Sequence, residues 1–314
     1  MIIVLGDLIA DFSLRIPSFP VAAGNMQRVE YLELGPGGAT NVAISASRLG
    51  LSVGCLGEVG SDQFGEIVLE GLRAESVEIS GIRVVPSGET PVAGVLVDAQ
   101  GEPAYLGYPG TLCLDTLPEA WRQTIARAEA LFVDGWADHP GTPAVVLAAL
   151  RTAREASVPS FFDPGPGNPV LDNDWHLAAA AGATVLIATE DEARRLTGVA
   201  DPAASAEALL KQGPEMVVLK RGVAGCVLLR GGEIHIAPGM PVEALDATGA
   251  GDSLDAAVIY GFLKGLSLED MGTLANATGA AKVRKAGTGH NMPTLDEIRS
   301  VLERFGRHPA DLLG

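Results

Sequence analysis

A run of small residues followed by an acid lies in the last quarter of the chain, in the segment DATGAGDS that begins at Asp246. Its Gly249-Ala250-Gly251 turn leads into an apolar stretch that predicts a helix over residues 251–264. The N–H groups at a helix start converge with its positive dipole end, which suits an anion such as a phosphate. Asp252, in the first turn, would accept the proton of a hydroxyl that attacks this phosphate. Alternatively, Asp252 only caps the helix and the glycines serve packing.

Other arrangements that carry out chemistry are missing from the sequence. It contains no GxxxxGK[ST] motif for holding phosphates, and its five histidines lack HxxxH or HExxH spacing. The three cysteines, Cys55, Cys113 and Cys226, are widely spaced among apolar residues, which predicts buried thiols in a reducing compartment. Phosphoryl transfer stays open, because it needs positioning and charge neutralisation more than covalent catalysis.

The composition bounds the partners and the location. The chain has 314 residues, of which 47% are apolar, which is enough for a large core and excludes wholesale disorder. A formal charge of −17 argues against a nucleic acid as partner. No stretch is long and apolar enough for a membrane span, and the apolar N-terminus lacks the basic region of a signal peptide. We therefore expect a soluble cytoplasmic protein that binds a small molecule.

Short strand-like runs alternate with Ala- and Leu-rich helical stretches through most of the chain. The predicted strands are residues 2–5, 53–56, 130–133, 159–162, 184–187, 216–220 and 225–230. The predicted helices are residues 40–49, 64–74, 143–156, 190–197, 205–212, 251–264 and 296–305. This alternation predicts an α/β fold with a mostly parallel central sheet that is covered on both faces. Ligands of such sheets bind beyond the carboxyl ends of the strands.

Two segments, residues 13–35 and 89–109, interrupt the alternation. Their residue patterns are typical of extended strands and are interrupted by prolines, and they show no long helical period. The second segment reads as two strands around a polar Gln100-Gly101 turn. Together the segments predict a small antiparallel sheet that projects from the body.

Seven motifs, in order along the chain, resemble one family. DATGAGDS resembles the second signature of the ribokinase family of small-molecule kinases, also called the PfkB carbohydrate kinases, and GPGGATNVAISASRLG at 35–50 with GEVGSDQFG at 57–65 resembles the first. The others are GDLIAD at 6–11, FFDPGPG at 161–167, TEDEARRLTG at 189–198, LKRGVAG at 219–225 and AGTGHNMP at 286–293. Ordered matches over nearly the whole chain are far more specific than a lone glycine motif.

The resemblance implies a fold and an activity. The fold would be a ribokinase-like three-layer sandwich, formed by residues 1–314 as a single domain, with the two irregular segments as a projecting β lid. The activity would be an ATP-dependent transfer of the γ-phosphoryl group to a hydroxymethyl group of a sugar or sugar-like molecule.

The resemblance also implies roles for individual residues. Asp252 matches the catalytic base, and the anion hole matches Gly249, Ala250 and Gly251. The positions that match acceptor-binding residues are Asp11, Gly37, Gly38 and Asn41. Those on the nucleotide side are Thr189, Glu192, Lys220, Gly222, Gly225 and His290, with Glu192 ordering water around Mg²⁺. Asp246 and Thr248 match residues near a monovalent-cation site, which implies K⁺ in addition to ATP and Mg²⁺.

The chain departs from the family pattern at several positions. Thr189 replaces the Asn of the Asn-x-x-Glu motif, which keeps a hydroxyl but loses the amide. Asn41 stands four residues after Gly37, whereas many members place it five after the first of two glycines. Asp255 stands where Asn is common. None of these departures removes the proposed base or anion hole, but they leave the acceptor open.

Several alternatives follow from the same residues. The acceptor is a sugar or, alternatively, a nucleoside, and a phosphosugar is less favoured because residues 35–48 contain no base before Arg48. Tyr105 either reaches the acceptor or packs on a strand face, and Asp163 either forms a turn or joins the site. A non-catalytic ligand-binding protein is disfavoured by Asp252, the glycine turn and Glu192. A lid with an exposed apolar face predicts a homodimer.

Overall fold

The computed structural model describes residues 1–135, 142–166 and 171–313. The main sheet of this part has nine strands, in the spatial order β13 (Glu233–Ala237), β12 (Cys226–Arg230), β11 (Met216–Lys220), β10 (Val185–Thr189), β9 (Ser160–Asp163), β8 (Ala130–Asp134), β1 (Ile2–Leu5), β4 (Val53–Gly60) and β5 (Ile82–Val85). Neighbouring strands pair in parallel except at the β11–β12 and β12–β13 pairs, which are antiparallel. The predicted mostly parallel sheet is confirmed.

Helices cover both faces of this sheet. One face carries α1 (Ala39–Arg48), α2 (Gln63–Ala74), α8 (Ala250–Lys264), α9 (Leu268–Lys282), α10 (Leu295–Arg304) and the short α11 (Pro309–Leu313). The other face carries α3 (Glu119–Ile125), α4 (Thr142–Glu155), α5 (Asn173–Gly182), α6 (Glu190–Thr197) and α7 (Pro202–Leu210). In β1, Ile2 and Val4 belong to one core cluster whereas Ile3 and Leu5 belong to the other. A strand buried on both faces explains the continuous apolar sequence of β1.

A second sheet of four strands forms the lid, in the order β3 (Tyr31–Gly38), β2 (Leu8–Arg15), β6 (Val92–Val97) and β7 (Pro103–Tyr108). The β6–β7 hairpin turns at Gly101, whose φ of +83° suits glycine. The borders of the lid differ from the prediction, because β2 begins at Leu8 and β3 continues to Gly38. Asp11 and Gly37 therefore lie in the lid sheet rather than in the body.

The side chains of the lid strands alternate between two faces. The inner face, toward the body, includes the buried Asp11 and Ser13. The outer lid face consists of the apolar side chains of the alternate positions, which are Phe12, Leu14, Leu32, Leu34, Leu96 and Leu106. On this face Leu32 is 58% exposed and Leu106 is 68% exposed.

The predicted helix at 190–197 and the predicted strand at 216–220 have the observed bounds. Helix α7 begins three residues before its prediction, because Asp201 is the N-cap and Pro202 occupies the first turn. Helix α9 lies outside the predicted elements. Its residues are almost all buried, so it lacks the polar face that marks a surface helix.

The cysteines only partly follow the prediction. Cys55 and Cys226 are buried, but Cys113 is exposed, in the loop before α3 with its Sγ 3.4 Å from the Asp115 carboxylate. The apolar sequence context of Cys113 therefore does not predict its exposure in this loop. Within the described ranges, no helix has the length and apolar character that crossing a membrane requires.

Candidate active site

The start of helix α8 lies near the carboxyl ends of the parallel strands. Gly249 is its N-cap, with a φ of +77° that glycine adopts without strain. A Cβ added there would lie 3.1 Å from the Sδ of Met292 and 3.3 Å from the Cε of Lys282. A Cβ added at Gly251 would lie 3.2 Å from the Nζ of Lys220. Two lysine side chains therefore flank the turn and add positive charge to that of the helix start.

The predicted anion hole is arranged as a helix start requires. The N–H of Ala250 donates to the carbonyl oxygen of Ala247 at 3.2 Å, which closes the turn. The N–H groups of Gly251 and Asp252 belong to the first helical turn, where no intrahelical acceptor exists. These two amides are the donors that α8 offers to an anion.

Asp252 has a partly buried side chain in the first turn of α8. Its Oδ2 accepts a hydrogen bond from the Nδ2 of Asn41 at 2.9 Å, and the Oδ1 of Asn41 accepts one from the N–H of Gly289 at 3.0 Å. The backbone thus orients Asn41 toward the carboxylate. Burial raises the pKa of Asp252 to about 6, against the opposing effect of this hydrogen bond. The group exchanges its proton near neutral pH, which suits a general base.

Asp11 enters the same site from the inner face of the lid. Its Oδ2 accepts a hydrogen bond from the Oγ1 of Thr288 at 2.6 Å. Its carboxylate lies directly against Gly37, where a Cβ would approach it to 2.1 Å. Burial raises the pKa of Asp11 to about 7, the bond from Thr288 opposes this, and the negative charge of Asp252 adds to it. The structure therefore brings Asp11, Gly37 and Asn41 next to Asp252.

Gly38 starts helix α1 and thereby places Asn41. Its φ is +60°, and a Cβ would lie 2.5 Å from the carbonyl oxygen of Asp7. The Oγ1 of Thr40 donates to the carbonyl oxygen of Gly37 at 2.7 Å. The tight turn requires glycine, and it sets the side of α1 that faces Asp252.

Asp246 ties the turn before α8 to the loop after α9. Its Oδ1 accepts from the N–H of Thr248 at 2.8 Å, and its Oδ2 accepts from the N–H of Gly287 at 2.7 Å. The ammonium of Lys282 is close enough for its charge to interact with that of Asp246. Each carboxylate oxygen thus accepts one backbone N–H and keeps a second lone pair. Because the cationic side chain of Lys282 lies beside this carboxylate, its charge repels an added K⁺ here.

Lys220, the last residue of β11, forms a buried cluster with Asp163 at the end of β9 and Asp255 in α8. Its Nζ donates to the Oδ2 of Asp163 at 2.5 Å and to the Oδ1 of Asp255 at 3.2 Å. Burial raises the pKa of Asp163, but the charge of Lys220 and the hydrogen bonds from Lys220, Asp255 and the N–H of Gly165 together outweigh this effect and lower the pKa. Burial raises the pKa of Asp255 well above its ordinary value. Burial therefore favours the protonated form of Asp255, in which the charge of Lys220 is paired with that of Asp163 alone.

This cluster explains two features that the sequence left open, namely the acid at position 255 and the role of Asp163. A protonated Asp255 has the shape and the hydrogen-bonding pattern of the Asn that is common at this position. Asp163 joins the cluster and also forms the turn, because its Oδ1 accepts from the N–H of Gly165 at 2.9 Å. Gly167, the last residue of the FFDPGPG motif, lies outside the described residues.

Thr189 and Glu192 start helix α6 as a capping box. The Oγ1 of Thr189 accepts from the N–H of Glu192 at 3.2 Å, and the Oε2 of Glu192 accepts from the N–H of Thr189 at 2.7 Å. Threonine therefore has a structural reason to stand at this position. Burial and the charge of Asp163 raise the pKa of Glu192, so this carboxyl is near the Lys220 cluster.

The remaining residues on the predicted nucleotide side lie in turns. Gly222 and Gly225 flank a short 3₁₀ turn with φ of +54° and +92°, and a Cβ at Gly225 would lie 2.1 Å from the carbonyl oxygen of Ala237. His290 is exposed in a second 3₁₀ turn, and its carbonyl oxygen accepts from the Nη2 of Arg48 at 3.1 Å. The structure does not bring these three residues into contact with Asp252. Their nucleotide-binding roles stay predictions.

Two further residues belong to the site: Lys282, which the sequence does not assign to it, and Tyr105, for which the sequence leaves two interpretations open. Lys282 is fully buried at the end of α9 beside Gly249. Tyr105, on β7, is 50% exposed, and its pKa is raised by burial and by the charges of Asp252 and Asp246. The strand alternation that puts Tyr105 on the same face as Asp11 is the signal that locates it.

A dedicated metal cage is absent from the described residues, where no group of three or more His, Cys, Asp or Glu side chains could hold an ion. The single carboxylate of Glu192 beside the cluster fits Mg²⁺, which keeps several waters and binds through one or two carboxylates and substrate phosphates. Glu192 would hold such an ion through water.

Comparison with known proteins decides the family. The model of the pfkB family carbohydrate kinases matches residues 1–295. The chain belongs to the PfkB family. An ATP-dependent ribose-1-phosphate kinase from Halopiger xanaduensis is 31% identical, over 94% of this chain and 96% of its own. A nucleoside kinase from Methanothermobacter thermautotrophicus is 26% identical, over 98% of this chain and 97% of its own.

The fold agrees with the family. A structure of Arabidopsis thaliana ribokinase, complexed with ribose and ATP, superposes with a TM-score of 0.82 at 22% identity, over 96% of this chain and 98% of that one. The ribokinase-like α/β fold is confirmed. This PfkB protein is a sugar or nucleoside kinase and thus a phosphotransferase.

Proposed function

We propose that this PfkB kinase transfers the γ-phosphoryl group of ATP to a hydroxymethyl group of a neutral sugar or a nucleoside, with Asp252 as general base. The observation that carries the proposal is the carboxylate of Asp252 at the start of α8, 2.9 Å from the Nδ2 of Asn41. A carboxylate in this place can take the proton of an attacking hydroxyl while the amides beside it receive the phosphoryl charge.

The reaction assigns a task to each part of the site. The acceptor oxygen forms a bond to the γ-phosphorus, the bond from that phosphorus to the β-phosphate oxygen breaks, and the acceptor proton moves to Asp252. Asp11 and Asn41 bind and orient acceptor hydroxyls, and the N–H groups of Gly251 and Asp252 hold the transferred group. Mg²⁺, ordered through Glu192, neutralises phosphate charge when it is bound with ATP.

The charge of the acceptor side favours a neutral acceptor. Asp11, Asp246 and Asp252 lie together there, and their charges interact. An anionic substituent on the acceptor would meet this negative field, which costs binding energy. The half-exposed ring of Tyr105 on the inner lid face favours the nucleoside alternative, because a ring face can stack on a base.

The proposal is tested by an acceptor panel with a coupled assay for ADP release. The neutral acceptors are ribose, fructose, adenosine and cytidine, and the anionic ones are 2-keto-3-deoxygluconate and ribose 1-phosphate, the acceptor named for the Halopiger relative. We expect the highest kcat/KM with a neutral acceptor. Preference for ribose 1-phosphate would contradict the charge argument, and no acceptor-dependent ADP release would contradict the kinase activity.

The outer lid face supports a homodimer. Its apolar side chains lie in register across four strands, with Phe12 opposite Leu34 and Leu14 opposite Leu32 and Leu96. Exposed apolar patches of this kind mark protein interfaces, and the edge strand β7 leaves backbone groups for pairing. A second copy of the lid is the occupant that offers the same apolar face in return.

We expect sedimentation to show a dimer for the wild-type protein at micromolar concentration. Leu32→Glu should shift the protein toward monomer, because it places a charge on the outer lid face, opposite Leu14. Val84→Glu is the control, since Val84 is 49% exposed on β5 at the edge of the main sheet, away from the lid. A wild-type monomer, or a Leu32→Glu protein that stays dimeric, would contradict the dimer.

A further inference from the structure

Lys282 is a fully buried lysine at the last position of α9. Its aliphatic chain packs against the turn before α8, since a Cβ on Gly249 would lie 3.3 Å from its Cε. Its Nζ donates to the carbonyl oxygen of Lys285 at 3.2 Å. The ammonium group is therefore fixed behind the N-cap of the helix that bears Asp252.

Burying an ammonium group without a directly bonded carboxylate is unfavourable for folding. Burial lowers the pKa of Lys282, and the charges of Asp246 and Asp252 act in the opposite direction. Two of the three acids that compensate the charge of Lys282 belong to the site, and the third, Glu33, lies opposite Ser13 in the lid sheet. A group that is costly to bury and whose compensation comes mainly from the site has a functional explanation.

The position of Lys282 also bears on whether K⁺ can bind beside the turn. The family resemblance implies a monovalent cation near Asp246 and Thr248, but the ammonium of Lys282 is already close enough for its charge to interact with that of Asp246. The side chain of Lys282 fills the space against Gly249. One positive charge is thus already present at the base of the turn.

We propose that the ammonium of Lys282 is a built-in monovalent cation, which supplies the positive charge behind the anion hole and makes turnover independent of K⁺. The charge strengthens the attraction of the α8 start for the transferred phosphoryl group, in addition to the helix dipole and the amides. Lys282 is a positioning residue, because it acts through the turn at Gly249. The proposal rests on the proposed phosphoryl transfer.

The first test uses the wild-type protein in K⁺, Na⁺ or tetramethylammonium at equal ionic strength. We expect turnover to agree within about twofold and the melting temperature to be the same in all three salts, because a specifically bound cation would raise it. A rise in melting temperature or a tenfold rise in turnover with K⁺ alone would overturn the proposal. The melting arm needs no substrate, so it is independent of whether the acceptor panel finds a kinase activity.

The second test compares Lys282→Ala, which opens space for a cation, with Lys282→Met, which fills it without charge. We expect both variants to lose about 10²-fold in turnover. K⁺ should restore part of this activity, and raise the melting temperature, in Lys282→Ala only. Lys264→Met, at the far end of α8, is the control for the loss of one charge.

Two results of the variants would overturn the proposal. One is a folded Lys282→Met protein with wild-type turnover, and the other is a Lys282→Ala protein that responds to K⁺ in neither turnover nor melting. If the variants fail to fold, the salt comparison on the wild-type protein still decides the question.

Discussion

Asp252→Asn is expected to lower kcat by about 10²- to 10⁴-fold with saturating acceptor and Mg-ATP, the usual effect of removing a general base. Asparagine keeps the size of the side chain and an oxygen that can accept the hydrogen bond from Asn41, but it cannot take a proton. Affinity for Mg-ATP should stay near that of the wild type. Turnover is measured by the coupled assay, and folding by a melting curve.

The melting curve of Asp252→Asn distinguishes a general base from a residue that only stabilises the start of α8. Because burial raises the pKa of Asp252 to about 6, ionisation of this group in the folded state opposes folding above that pH. Asp252→Asn should therefore melt at a higher temperature than the wild type at about pH 8, and the difference should shrink as the pH falls toward the ordinary value of 3.8. If the charge of Asp252 served only the start of α8, the substitution would instead cost about 0.3–1 kcal/mol, through the lost interaction with the helix dipole.

The matched control is Asp201→Asn. Asp201 is the N-cap of α7, where its Oδ1 accepts from the N–H of Ala204 at 2.8 Å. Asp201→Asn is the same substitution at another helix start, and it should leave kcat unchanged. Near-normal turnover in a well-folded Asp252→Asn protein would refute the assignment of Asp252 as base.

The second large effect is on stability. Lys220→Met is expected to reduce the free energy of unfolding by about 3–5 kcal/mol, because it leaves the buried charge of Asp163 without its partner. Lys220 is 9% exposed and its Nζ lies 2.5 Å from the Oδ2 of Asp163. Urea unfolding with an unchanged m value measures the difference.

Asp255→Asn is the matched control for this cluster. If Asp255 is protonated, asparagine donates to Asp163 and accepts from Lys220 as the acid does, so the free energy of unfolding should change by less than about 1 kcal/mol. A loss as large as that of Lys220→Met would show that Asp255 is charged and that the cluster is not neutral. A Lys220→Met protein as stable as the wild type would show that the ion pair contributes nothing.

The local parts of the fold follow from the sequence because local patterns determine them. The continuous apolar run of β11 and the capping signals around α6 are readable without tertiary contacts. The start of the lid cannot be read from the sequence, because β2 continues the apolar character of β1 after only two residues, Gly6 and Asp7. The change from one sheet to the other at this point is a property of the packed molecule.

The active site likewise has parts that the sequence locates and parts that it does not. Asp252 and its glycine turn are contiguous, so a motif locates them, whereas Asn41 meets Asp252 across 211 positions and Lys220 meets Asp163 across 57. Such pairings are set by topology and leave no local pattern. Lys282 illustrates the limit most clearly, because a lysine near a helix C-terminus ordinarily reads as an exposed partner of the dipole.

The most direct test of the proposed reaction is the ³¹P NMR spectrum of the product, without proton decoupling, after incubation with Mg-ATP and the best acceptor of the panel. A phosphate ester on a hydroxymethyl group couples to the two protons of the adjacent methylene with similar constants, so we expect a new triplet together with the signals of ADP. A doublet would place the phosphate on a secondary hydroxyl. Inorganic phosphate alone would mean hydrolysis without transfer, and either result would contradict the proposed function.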